Sequence, residues 1–124
     1  MLHLNLELFI LLQFTLVFDW LIQTDYQAIH KFENVLVRCK HALIYTTCSL
    51  IFLSLFSYPA YVVFSIGIIL FVSHEIIDSR KPVIWWMIHI KRIPKENVKD
   101  LWWLNIAIDQ IFHSIVNFVI AVAV

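Results

Sequence analysis

Residues 101–124 read LWWLNIAIDQIFHSIVNFVIAVAV, and this stretch decides the fold. A bilayer core of ~30 Å is crossed by about 20 mostly apolar residues in a helix, and the stretch meets that length. Asn105, Asp109, His113 and Asn117 recur through it in steps of four, so they share one helical face. An ionisable group in hydrocarbon costs roughly 2.5–3.5 kcal/mol on insertion scales, so this stripe has to face protein rather than lipid. The rest of the chain must supply its partners.

Three further windows have the length of a span, at residues 4–22, 35–56 and 60–77. The expectation is an all-α polytopic membrane protein. Residues 1–124 form a single domain, an antiparallel four-helix transmembrane bundle with an amphipathic cytoplasmic linker. Composition agrees. The 124 residues are 61% hydrophobic and 15% charged, against roughly 45–50% and about 25% in soluble domains. A soluble fold of this size has too much surface to cover with so few charges. One glycine excludes a glycine-rich phosphate cradle. A formal net charge of zero argues against a nucleic-acid partner. Cys39 and Cys48 fall in one expected helix, about 13 Å apart along its axis, which is too far for a mutual disulfide. The N-terminal segment has no basic region, carries Glu7, and does not read as a signal peptide.

The short segment Ser57-Tyr58-Pro59 joins the second and third windows, and polar linkers at 24–34 and 79–100 join the others. Pro94 suits the first turn of a helix running into the fourth span. All nine lysines and arginines belong to one side: Lys31, Arg38, Lys40, Arg80, Lys81, Lys91, Arg92, Lys95 and Lys99. The positive-inside rule places that side in the cytoplasm and both termini outside, in a multi-pass protein of the cell's inner membrane. Trp85, Trp86, Trp102 and Trp103 read as interfacial anchors. His3, His30 and His89 read as interfacial or solvated, and Glu7 as a snorkelling surface residue. The bilayer is the first partner. Anionic lipid at the basic linker is a second, at about 1 kcal/mol per basic residue near the surface. Self-association into a homo-oligomer is left open.

Each window carries an ionisable residue with a polar companion four positions on: Asp19 with Gln23, His41 with Tyr45, His74 with Asp78, and Asp109 with His113. In an up-down-up-down bundle all four pairs converge on the cytoplasmic half. Neutral imidazoles and carboxylates are ligands for zinc, manganese or iron. Bundles build metal sites from such residues on facing helices, and a metal with an open position activates water toward an ester or phosphoester. Gln23, Tyr45, Asn105 and Asn117 remain to orient the ligands. A structural polar network or a proton relay draws on the same residue types.

The segments FDWLIQTDY (18–26), HALIY (41–45), SHEIIDSRK (73–81) and DQIFH (109–113) occur in that order. Together they resemble a family of small bacterial and phage membrane proteins known as domain of unknown function 3307, over roughly residues 12–118. The resemblance carries the motif onto Asp19, Gln23, Asp25, His41, His74, Asp78, Lys81, Asp109, Gln110 and His113. Thr15 stands where that family usually has its first histidine. The layout is similar to that of membrane-bound metal-dependent hydrolases, an analogy at the level of fold and motif. The expected ligands of a divalent transition metal are His41, His74, Asp78, Asp109 and His113, with Asp19 and Gln23 as catalytic groups. The competing expectation is a non-enzymatic membrane component, for permeation, proton relay or partner binding, whose His/Asp cluster is structural.

Overall fold

A computed structural model describes residues 3–124. Among these residues the structure is all-helical: α1 (Leu6–Leu21), α2 (Asp25–His30), α3 (Val35–Leu53), α4 (Ala60–Asp78), α5 (Lys81–His89) and α6 (Trp102–Ala123), with one 3-10 turn at Lys95–Asn97. Helices α3, α4 and α6 are long and apolar enough to cross a membrane. At 16 residues, α1 spans about 24 Å and falls short of that length. Helix α1 packs against α3 and α6, and α4 packs against the same two.

Local chemistry sets the boundaries. The Asn5 side chain accepts the Leu8 amide at the start of α1, and the Asn34 side chain accepts the amides of Leu36 and Val37 at the start of α3, each satisfying amides that the helix leaves unpaired. Helix α3 stops at Leu53, ahead of the expected residue 56. Pro59 disfavours helical geometry at Tyr58, and the Ser54 hydroxyl donates to the Ile51 carbonyl, loosening the end.

Both linkers hold helices that hydropathy does not announce. In the first, Thr24 and Gln27 form a reciprocal capping box that starts α2. In the second, α5 begins Lys81-Pro82, with Pro82 in the first turn, where its missing N–H costs nothing. The expectation at Pro94 is corrected. It precedes only the 3-10 turn, and α6 starts later, at Trp102. There the Asn105 amide holds the carbonyls of Val98 and Leu101, bracing the turn between them.

The distribution of side chains is inverted relative to a soluble protein. Leu21, Leu36, Leu55 and Tyr61 are at least three-quarters exposed, whereas His74, Asp78 and Thr15 are fully buried. Apolar packing is split in two. Leu8, Leu12, Tyr45, Leu53, Ile66, Leu70 and Ile120 fill one end, and Val83, Met87, Val98 and Ile108 join α5 to α6 at the other. Along α6, His113 falls between Ile108 of the second set and Ile120 of the first.

Candidate functional site

The last turn of α1, the second turn of α3, the end of α4 and the first half of α6 meet at one level. They bring together ligand atoms of Asp19, His41, His74 and Asp78, all within 4.8 Å of one another. A second set shares Asp78 and adds Asp109 and His113 within the same limit. Asp19, expected as a catalytic group, thus stands among the expected ligands. Gln23 joins neither set. It lines an adjoining cavity, and its Oε1 is buried without a hydrogen-bond partner.

The contacts fix proton positions. His113 Nδ1 lies 2.9 Å from the Asp109 carbonyl, which only accepts, so Nδ1 carries the proton. His113 Nε2 is then an acceptor and takes the hydrogen bond of His74 Nδ1 at 3.0 Å. A neutral His74 therefore turns the lone pair of Nε2 toward Asp78 Oδ2 at 3.2 Å and Asp19 Oδ1 at 3.5 Å. Lone pairs facing carboxylate oxygens repel. A proton or a cation has to lie among them.

Asp78 makes the same demand. Both of its oxygens and His74 Nε2 are buried without an aligned hydrogen bond, and a buried polar atom left so is costly. The partnerless Asp78 Oδ1, the unaligned His74 Nε2 and the oxygen-nitrogen donor set fit a divalent transition metal. On the other side of the cluster, His41 Nε2 donates to Asp19 Oδ1 at 2.8 Å, and Gln110 Nε2 donates to Asp19 Oδ2 at 3.1 Å and to Asp109 Oδ2 at 3.2 Å.

The group that sequence reasoning missed is Lys31. Counted there with the basic linker, it is only 6% exposed. Its Nζ stands 3.0 Å from Asp78 Oδ2 and 3.6 Å from Asp19 Oδ1. Burial alone pushes the Lys31 ammonium toward neutrality, but Asp78 and Asp19 outweigh it and hold the group above its ordinary pKa. The Lys31 carbonyl accepts from Arg38 Nη1 at 3.1 Å. Arg38 also pairs with Glu75 at 3.3 Å, so the end of α2 is tied to α3 and α4. The capping box at 24–27 was the sequence signal that α2 exists and delivers Lys31 inward.

Other expected residues take supporting places. Tyr45 stacks on His74 at 4.3 Å between ring centroids, and its hydroxyl lies 3.2 Å from the Thr15 hydroxyl. Asn117 donates to the Leu12 carbonyl, linking α6 to α1. Asp25 and Lys81, carried over by the motif, are the exposed first residues of α2 and α5 and lie outside both ligand sets. His3, His30 and His89 are exposed.

No curated protein and no solved structure matches the chain. The family model described as protein of unknown function (DUF3307) matches residues 7–124. Matched over nearly its whole length, the chain belongs to that family.

Proposed function

We propose that this is a metal-dependent hydrolase-like membrane protein, with α1 joining α3, α4 and α6 as the fourth crossing of an antiparallel bundle. In this reading it lies in the cytoplasmic membrane of the cell with both termini outside. The orientation is supported by the one-sided distribution of all nine basic residues. The bundle is supported by the ring of contacts that α1 completes.

The observation that carries the chemistry is His74 Nε2, buried without an aligned hydrogen bond, beside Asp78, whose Oδ1 has no partner. His41, His74 and Asp78 would hold the metal from one side, and Asp109 and His113 from the other. When bound, such a metal supplies Lewis acidity toward an ester or phosphoester oxygen and toward water. The chain's own groups do the rest. His41 Nε2 lies 2.8 Å from Asp19 Oδ1, so Asp19 is placed to take the proton that His41 sheds when it binds the metal. Gln110 holds Asp19 and Asp109 in register, and the His113-to-carbonyl bond fixes the tautomers of both linked imidazoles. Gln23 lines the cavity, and its Oε1 is an acceptor without a partner.

Elemental analysis of protein purified without chelator tests the reading. A near-stoichiometric transition metal is expected, reduced in His74→Ala and Asp109→Ala. Affinity should fall as the pH drops, because the ligands must shed their protons to bind. A metal-free native protein with folded variants removes both the metal and the hydrolase.

A second reading has its own observation. Lys31 already brings one positive charge to Asp78 and Asp19, as a purely structural network or a proton relay requires. On that reading the chain is a non-enzymatic component for permeation, proton relay or partner binding.

A further inference from the structure

The cavity beside the cluster has a volume of about 190 Å³, and its wall includes Asp19, Gln23, Lys31, Arg80 and Asp109. Arg80 is the unexplained member. It is the residue before α5 and adopts a left-handed conformation, with φ 58°, which is unfavourable by roughly 1–2 kcal/mol for a residue with a Cβ. Its guanidinium lies over the Phe32 ring, with Cζ 3.4 Å from the centroid. Among the described residues the guanidinium makes neither a hydrogen bond nor an ion pair, although the Arg80 backbone is bonded to Ile77 and Ile84. Stacking therefore fixes the plane of the guanidinium and leaves its N–H donors unspent.

Charge arithmetic identifies what those donors are for. Counted at formal charge, with carboxylates ionised and imidazoles neutral as metal ligands must be, Asp19, Asp78 and Asp109 contribute three negative charges to the cluster and cavity, and Lys31 and Arg80 two positive ones. The balance is minus one, which repels an anion. One divalent metal changes it to plus one. An anionic ligand then restores neutrality, whereas a neutral carboxylic ester would leave Arg80 unpaired. A planar guanidinium with free donors matches the paired oxygens of a phosphate.

We propose that the cavity takes the phosphate group of a phosphoester, gripped by Arg80 beside the metal centre. This rests on the metal-dependent reading above. Two sources of that group have access. Trp20 and Ile106 line the cavity, and Trp20 is half-exposed in the last turn of α1, where a lipid headgroup can reach the cavity from the membrane interface. Ala28 and Phe32, from the polar linker, line it as well, so a free phosphoester also reaches it.

The test uses the full-length protein in detergent, scored both for metal content and for binding of radiolabelled inorganic phosphate. Saturable, metal-dependent phosphate binding is expected. Arg80→Asn, which keeps a residue tolerant of the left-handed conformation, should weaken it about tenfold or more, the scale of a hydrogen bond to a charged group. Its metal content should stay at the wild-type level. Arg80→Lys should fall between the two. Displacement of the label by phosphatidic acid but not by diacylglycerol supports the proposal with a lipid as the source. Displacement by soluble phosphomonoesters alone supports it with a free source. Bound metal with no phosphate binding, or with binding indifferent to Arg80→Asn, overturns the phosphate proposal and leaves the metal reading standing. A metal-free wild type overturns both.

Discussion

Removing one partner of a buried ion pair costs about 3–5 kcal/mol, because the charge left behind has no solvent. Lys31 stands in that position toward Asp78 and Asp19. Lys31→Met should lower the stability of the detergent-solubilised protein by about that amount, read by chemical denaturation. An added divalent metal should stabilise this variant more than the wild type, since it replaces the missing charge. A variant as stable as the wild type without metal would show that Lys31 does not hold these carboxylates. The pH dependence has a definite sign. The folded pKa of Lys31 is raised, so its contribution is complete below the unfolded value of ~10.4 and is lost only as the pH climbs through the folded value above it. At this scale the sequence showed much of the cluster, because Asp109, His113, His74 and Asp78 interrupt long apolar windows at helical spacing. It hid Lys31, because a lysine in a polar linker looks solvated until the chain is folded back.

Helices α3 and α4 are in close contact at Gly67. A Cβ built there meets both Leu50 methyl groups at 2.9 Å. These are the tips of a flexible side chain, and alanine is favoured over glycine in a helix by up to about 1 kcal/mol. Gly67→Ala should therefore be nearly neutral. Gly67→Leu overfills the contact and should cost about 1–3 kcal/mol, visible as a lower melting temperature. An equal effect of the two substitutions would mean that the helices separate freely there. The three long helices were readable from hydropathy, since window 60–77 differs from Ala60–Asp78 by one residue. The short ones were not. Six residues in α2 and nine in α5 give too few turns for periodicity to emerge, so their evidence lay in a capping box and a proline. At Pro94 a helix-start residue began only a 3-10 turn, because the Asn105 side chain takes the Val98 and Leu101 carbonyls and makes the chain turn first.

The molecule as a whole is polar within and apolar without, and its basic residues all belong to the linker side of the sequence. Reporter tags at either terminus should therefore be extracytoplasmic, and one inserted at Lys95 cytoplasmic. Accessibility labelling that finds the N-terminus inside would reverse the orientation and move the cluster to the outer half. Fold class was legible at this scale because lipid selects composition, whereas the standing of α1 was not, since its length lies below that of its neighbours. That length has a further consequence. With α1 as the fourth crossing, the perimeter is of unequal height, about 24 Å at α1 and about 33 Å at the 22 residues of α6. Such hydrophobic mismatch is met by lipids that compress locally. The bilayer is then thinnest along α1, whose last turn carries Asp19 and Trp20 at the cavity. On that reading headgroups and water would sink toward the buried cluster on that side, and a membrane-borne molecule would reach it without any helix having to part.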